Sequence, residues 1–417
     1  MLSRCHLFAV GLLGLLAAVA SSAGTAAAPD AAGLAHRVRV LAAAEMSGRG
    51  NGTAEALAAA DTIAAWFADA GLSTVPSREG WFQDFPLPGD EAAGFGRSVL
   101  GWLPGMGVLA ARIMVIGAHY DHLGVRLADD GETVIGIYHG AEDNASGVSV
   151  LVELAGLLAA GPGDERRSCL FVAFAGEEIG LLGSSWLVEH PPWPAGAVDL
   201  MMNLDSVGRL RGDRLYVGGL GSSPVLRTLV TDANAGHGLR LEMSDSGWDA
   251  SDHVPFDSAG IPVLFLFTGP HPQYHSTADR WELVSGEGLA RVASYAGDLA
   301  AAARLHPGAI PYTAQAELPP RAPAISGRER AWLGTIPDFV EGVDGVRLAG
   351  VMPGGPAEES GLQAGDVLVQ LGDRTITGLQ DLTAALQENG PGLSVDAIVV
   401  RGEERLIFMV TLRNRPQ

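Results

Sequence analysis

The sequence predicts an α/β fold: a mostly parallel central sheet with helices on both faces, followed by a small β-rich domain. Three observations point to it. From about Ala31 to His306, near-continuous apolar runs of strand length alternate with helical runs, the pattern of parallel strands buried on both faces. The stretch HPGAIPYTAQAELPPRAPAISG (306–327) then breaks the alternation; rich in proline and alanine and without an apolar period, it reads as an extended linker. Beyond it lie short β-rich segments (GVRLAGV, DVLVQLG, AIVVRGEERLIFMVTL), with hairpin turns at Gly372-Asp373 and Gly402-Glu403.

The elements follow in order. LAAADTIAAWFADAG (57–71) has helical spacing and stops at Gly71, a residue suited to a helix C-terminus. Strands are predicted at RIMVIGAHYD (112–121), SCLFVAFA (168–175), VDLMMNLD (198–205) and IPVLFLFTG (261–269), with a helix starting near Ala145. In such sheets ligands bind outside the carboxyl ends of the strands.

Composition narrows the chemistry. A chain of 417 residues with 47% hydrophobic and 18% charged residues has ample material for a core. Its net charge of −21 argues against nucleic acid or an anionic membrane as partner. All 27 basic residues are arginine, so Schiff-base, P-loop and Ser–Lys chemistries are excluded. The N-terminus has Arg4, an apolar stretch from Leu7 to Ala20 and then small residues. That stretch is too short to span a bilayer and fits a signal peptide (1–23) cleaved after Ala20 or Ala23, which predicts a secreted or periplasmic protein with no stable membrane span after cleavage. Cys5 precedes this stretch, so the mature chain keeps only Cys169, a core residue with no intrachain disulfide partner.

Acid and imidazole groups gather just past the strand ends. His119 and Asp121 close the first of those strands, two apart and so on one side; Asp121 is expected behind His119, fixing its tautomer. Asp143 precedes a helix start that Asn144 can cap equally well, leaving Asp143 free to reach inward. Glu177-Glu178, Asp205 and His275 follow later strands. One His, one Asp and a shared Asp can hold one divalent ion, while the shared Asp, a Glu and the other His hold a second. Mixed imidazole and carboxylate donors suit zinc, and a bridging carboxylate suits a pair of ions. The glutamate left over is what hydrolysis requires of a general base. Neither H-E-x-x-H nor G-x-S-x-G is present.

The ordered set GAHYDHLG, GAEDNASGVSVLVELA, AGEEIGLLGS, NLDSVGR, SDHVPFDSAGIPVLFLFTG and YHSTADR resembles the M28 family of zinc peptidases, whose best-known members are co-catalytic aminopeptidases. The resemblance spans residues 31–305 and implies a zinc-exopeptidase fold, two Zn²⁺ per chain and peptide substrates. It implies His119 and Asp205 on one zinc, Glu178 and His275 on the other, Asp143 bridging, Glu177 as base and Tyr274 steadying the oxyanion. The M20 metallopeptidases insert a domain before their last histidine; only 70 residues separate Asp205 from His275, which favours M28. The longer connection 122–140 and Trp248-Asp249 depart from the family pattern. Asp252 and His253 read as structural support, and His122, His139 and His271 as solvent-facing or packed in loops.

GVMPGGPAEESGLQAGDVLVQLGDRTITGLQDLTAAL is similar to a PDZ domain of the bacterial protease type (328–414), with Leu382 and Leu386 in its core. By that likeness Leu333, Gly334, Thr335 and Ile336 form the loop that holds a peptide's C-terminal carboxylate. The expected activity is therefore removal of N-terminal residues from peptides. A single-zinc transferase of the glutaminyl cyclase kind and an inactive PDZ scaffold are the alternatives. Carboxypeptidase action would need an arginine pocket, for which Arg209 is the candidate.

Overall fold

The computed structural model describes residues 28–89, 94–128, 130–161, 165–246, 251–314, 331–337 and 343–414. The expected signal peptide (1–23), most of the Pro/Ala-rich stretch, and Trp248-Asp249 lie outside them.

The first domain has strands β1 (Phe82–Pro86), β2 (Phe95–Leu103), β3 (Ile113–His119), β4 (Val125–Leu127), β5 (Val134–Ile137), β6 (Ser168–Phe174), β7 (Val198–Leu204), β8 (Arg214–Gly218), β9 (Arg240–Met243) and β10 (Val263–Phe267). Its helices are α1 (Ala31–Leu41), α2 (Ala54–Asp69), α3 (Gly147–Ala160), α4 (Leu182–Glu189), α5 (Leu226–Ala233), α6 (Val254–Ser258) and α7 (Gly286–Leu305). Eight strands form one sheet in the order β1-β2-β6-β3-β7-β10-β8-β9. Strands β6, β3, β7 and β10 run parallel. Every residue of β3, β6 and β7 is buried, which is why each reads as an unbroken apolar run rather than an alternation.

The sheet is more mixed than expected. Strand β2 pairs antiparallel with both β1 and β6, and β8 pairs antiparallel with β10. Helices α1, α2, α3, α5 and α7 pack one face through Leu34, Phe67, Leu151, Val230 and Tyr295; α4 and α6 cover the other through Leu187 and Phe256. The apolar run Ala141–Ala160 is long enough to cross a membrane, but 72% of it is buried inside the domain, as befits a core helix.

A second difference concerns the boundary expected at His306. Buried Arg167 donates to the carbonyls of His306 (2.7 Å) and Gly308, Ile310 is buried in the core, and Thr313 N donates to Ser222 O at 2.8 Å. The chain therefore stays on this domain through Thr313, so a linker begins later than 306.

The second domain contains β11 (Ala331–Trp332), β12 (Thr335–Pro337), β13 (Val346–Val351), α8 (Pro356–Ser360), β14 (Val367–Leu371), β15 (Arg374–Thr375), α9 (Leu379–Glu388), β16 (Ser394–Arg401), β17 (Glu404–Thr411) and β18 (Arg413–Asn414). The turns at 372–373 and 402–403 join antiparallel pairs. Leu382 is buried and Leu386 packs partly buried against the same core. Leu333 and Ile336 are buried too, Gly334 adopts φ +75°, and β12 is an edge strand of its sheet.

Candidate metal centre

Parallel strands deliver their carboxyl ends to one edge, and that edge carries the charged cluster. His119 is the last residue of β3 and pairs with Phe174 at the end of β6. Glu177 and Glu178 follow β6 after a turn at Gly176, Asp205 follows β7, and His275 lies eight residues past β10. Asp143 enters from the turn before α3. Asn144 makes that possible: its Oδ1 accepts from Gly147 N (2.9 Å), the first N–H of α3, and from Ser206 N (3.0 Å), joining the helix to the end of β7. A Cβ at Gly147 would lie 2.3 Å from that Oδ1 and 2.5 Å from Leu204 O, so only glycine permits the approach.

Asp143 sits at the centre. His119 Nε2 is 3.3 Å from its Oδ1 and 3.6 Å from Asp205 Oδ1. His275 Nε2 is 2.9 Å from its Oδ2 and 3.2 Å from Glu178 Oε2. Each carboxylate oxygen of Asp143 thus faces a different imidazole, and apart from the His275 contact its buried Oδ2 has no hydrogen-bond partner among the described residues. Such an orphaned oxygen is costly unless a cation meets it. The donor set fits zinc. Two tetrahedral ligand atoms at ordinary Zn–N and Zn–O distances stand about 3.3 Å apart, close to three of these four separations.

Electrostatics favour positive charge here. Burial opposes protonation of His119, but the carboxylates of Glu177, Asp205 and Asp143 outweigh it and lift its pKa well above the ordinary value. His275, likewise opposed by burial, is pushed up to about 9 by Glu178 and Asp143. Against its own burial, Asp143 is held well below the usual carboxylate range by His119, His122 and His275. Glu177 moves the other way. Burial raises its pKa well above the normal range, His119 pulls it back, and the carboxylates of Glu178, Asp252 and Asp205 push it higher. Of the neighbouring pair, Glu177 is the proton-hungry member.

Supporting residues set these positions. Ser251 Oγ donates to Asp205 Oδ2 at 2.8 Å and accepts from Asn203 Nδ2 at the same distance, orienting Asp205. Asp279 Oδ2 accepts the backbone N–H groups of Glu142 (2.9 Å) and Asp143 (3.1 Å). Ser206 and His275 both have φ of +52°, a conformation costing roughly 1–3 kcal/mol that tends to gather at functional sites.

Several expectations need correction. The near partner of His119 Nδ1 is the backbone carbonyl of Asp121, at 3.1 Å, whereas its carboxylate is 3.8 Å away. That carboxylate instead accepts from Asn51 Nδ2 (2.7 Å) and from the backbone N–H groups of Glu177 (3.2 Å) and Glu178 (3.3 Å). Asp121 therefore anchors the glutamate pair. Arg209 is committed to Asp279 (2.9 Å) and Gln273, so its charge is already used and the arginine pocket for a terminal carboxylate loses its candidate. His122 does lie in the loop between β3 and β4, but it is buried and reaches the cluster, with Nδ1 2.7 Å from Glu178 Oε1. Its one signal in the sequence was adjacency to His119-x-Asp121. His139 does pack in a loop, with Nδ1 2.9 Å from Ala42 O, and His253 stacks on Phe265. Tyr274 stacks on His275 with ring centroids 3.8 Å apart and is 40% exposed, which puts it at the mouth of the cluster.

Two stretches of the chain match known protein families. Residues 98–300 match peptidase family M28, and residues 347–401 match the PDZ domain. The chain is 35% identical over 202 residues to aminopeptidase YwaD of Bacillus subtilis, covering 46% of this chain and 40% of that one. It thus spans under half the length of that relative. The solved structure of a zinc aminopeptidase from Bacillus subtilis superposes with a TM-score of 0.54 at 21% identity, covering 68% of this chain and 97% of the other. Glutaminyl cyclase from Porphyromonas gingivalis superposes with a TM-score of 0.53 at 21% identity, covering 66% and 98%. At such identities these two likenesses establish the fold.

Proposed function

Since residues 98–300 are a peptidase family M28 domain and residues 347–401 a PDZ domain, we propose that the protein is a two-zinc aminopeptidase. The observation that carries this reading is Asp143: one carboxylate, two imidazoles on its two oxygens, and one of those oxygens otherwise orphaned. His119, Asp143 and Asp205 would hold one ion, and Asp143, Glu178 and His275 the other. When bound, zinc supplies Lewis-acid polarisation of a carbonyl and a water acidified toward neutral pH.

The chain's own groups do the rest. Glu177 takes the proton of the attacking water on its carboxylate and returns it to the leaving amine. Asp121 keeps Glu177 at its post by holding the backbone N–H on which that residue pivots. Tyr274, at the mouth beside His275, is assigned to the developing oxyanion. In the second domain, a peptide C-terminus would add to the β12 edge, its carboxylate on the backbone of the loop Leu333-Gly334-Thr335-Ile336. The N-terminal apolar stretch supports a secreted or periplasmic location.

Shared fold does not separate an aminopeptidase from a cyclase, but products do. Peptides with a free amino group are expected to be shortened one residue at a time from that end, followed by mass spectrometry, and N-acetylated copies to remain intact. Trimming of the acetylated copies from the carboxyl end would contradict the proposal. Conversion of N-terminal glutamine to pyroglutamate without hydrolysis would favour the cyclase.

A further inference from the structure

His122 is absent from the ligand set that the motifs imply, yet its imidazole stands within metal-ligand reach of Asp143 and Glu178 and edge-on to His275. We infer that His122 is a positioning residue for Glu178. It donates its Nδ1–H to Glu178 Oε1, committing the other oxygen, Oε2, to the cation held with Asp143 and His275; this rests on the two-ion reading above.

Distances separate this role from direct ligation. Two atoms bound to one tetrahedral zinc stand about 3.3 Å apart, as His275 Nε2 and Glu178 Oε2 do at 3.2 Å. The Nδ1 of His122 is only 2.7 Å from Glu178 Oε1, the length of a charge-assisted hydrogen bond. Its 3.8 Å to Asp143 Oδ2 is too long for one. The two oxygens of Glu178 therefore have different neighbours: His122 on Oε1, His275 on Oε2.

The imidazole cannot swing away from this post. A Cβ at Gly140 would lie 2.6 Å from both Cγ and Cδ2 of His122, so the bare backbone of Gly140 packs flush against the ring. Tyr138 and His275 meet it edge-on, at centroid distances of 6.5 and 5.7 Å. Arg49, itself fully buried, fixes that backbone by donating to the carbonyls of His139 and Gly140, each at 2.8 Å. The N–H of His122 donates to Arg49 O at 3.3 Å. Residue 122 is 1% exposed, so water does not compete for Glu178 from that side. Outer partners of this kind restrict a carboxylate to one orientation, and removing them typically weakens metal binding by about 10- to 100-fold.

The test is zinc titration of the full chain against a competing chelator, for the natural protein, His122→Ala and His122→Asn. The thermal midpoint of each metal-free protein serves as a check on folding. In His122→Ala, one of two zinc dissociation constants is expected to rise about 10- to 100-fold while the other holds. In His122→Asn, whose side-chain N–H replaces the Nδ1–H, that constant is expected to stay within about threefold of the natural protein's. Unchanged constants in His122→Ala would overturn the proposal. So would His122→Asn binding as weakly as His122→Ala with a normal thermal midpoint, since the imidazole would then itself be a ligand. A natural protein that takes up fewer than two zinc ions would instead overturn the two-ion reading.

Discussion

Glu177→Gln is expected to keep the metal content of the natural protein while kcat falls by roughly 10²–10⁴-fold or more, the range removed with a general acid–base group. The substitution preserves shape and deletes only the capacity to accept a proton. Asp121 still holds the backbone N–H of residue 177, so the neighbouring Glu178 stays in place. Loss in kcat with KM nearly unchanged would mark an interaction made in the transition state. The direction of the Glu177 pKa supports the assignment: burial and three carboxylates raise it against the pull of His119. Turnover within tenfold of the natural enzyme, with metal retained, would remove Glu177 from the base role.

Asp143→Ala is expected to abolish stoichiometric zinc binding altogether, because both halves of the cluster draw on that carboxylate. Asp205→Ala makes the comparison, since of the two imidazoles His119 and His275 it is His119 that Asp205 faces. It is expected to retain about one ion per chain. The helix need not suffer in Asp143→Ala, because Asn144 still holds the first N–H of α3, at Gly147, and that of Ser206. Metal analysis and a thermal scan on each variant separate the two effects. Zinc retained at the natural level in Asp143→Ala would exclude the bridge.

The residues that gather at the sheet edge were legible in the sequence for a physical reason. A parallel strand buried on both faces has to be apolar throughout, so the first charged residues past its end stand out, as His119, Glu177-Glu178 and Asp205 do. Asp143 was legible because Asn144 beside it can hold the helix start equally well, which frees Asp143 to reach inward. What the sequence concealed are contacts between distant segments. His122 meets Glu178 across 56 residues, and Asp279 holds the backbone of Glu142 and Asp143 across 137 and 136. No local pattern encodes such pairings. His122 lies in a loop as read, but nothing nearby in sequence marks its ring as turned toward Glu178. The role of Asp121 was misplaced for a related reason: spacing along β3 sets the side of the strand, but whether carbonyl or carboxylate meets the imidazole depends on Asn51 and the turn after β6. The antiparallel β1 and β2 were hidden because neither is a continuous apolar run: β1 is a short edge strand, and glycine, arginine and serine interrupt β2. Residues 307–313 looked like linker because what holds them is Arg167, a buried cation more than 130 residues away that donates to backbone carbonyls, to which sequence is indifferent.

If the Asp143 carboxylate is shared between two zinc ions, the stoichiometry of the intact protein follows. Elemental mass spectrometry of the purified full chain, dialysed against trace zinc, is expected to find about two zinc ions per chain. A single tightly held ion, with Asp205→Ala and Glu178→Ala removing that same ion, would contradict the bridge and leave a one-metal centre in its place.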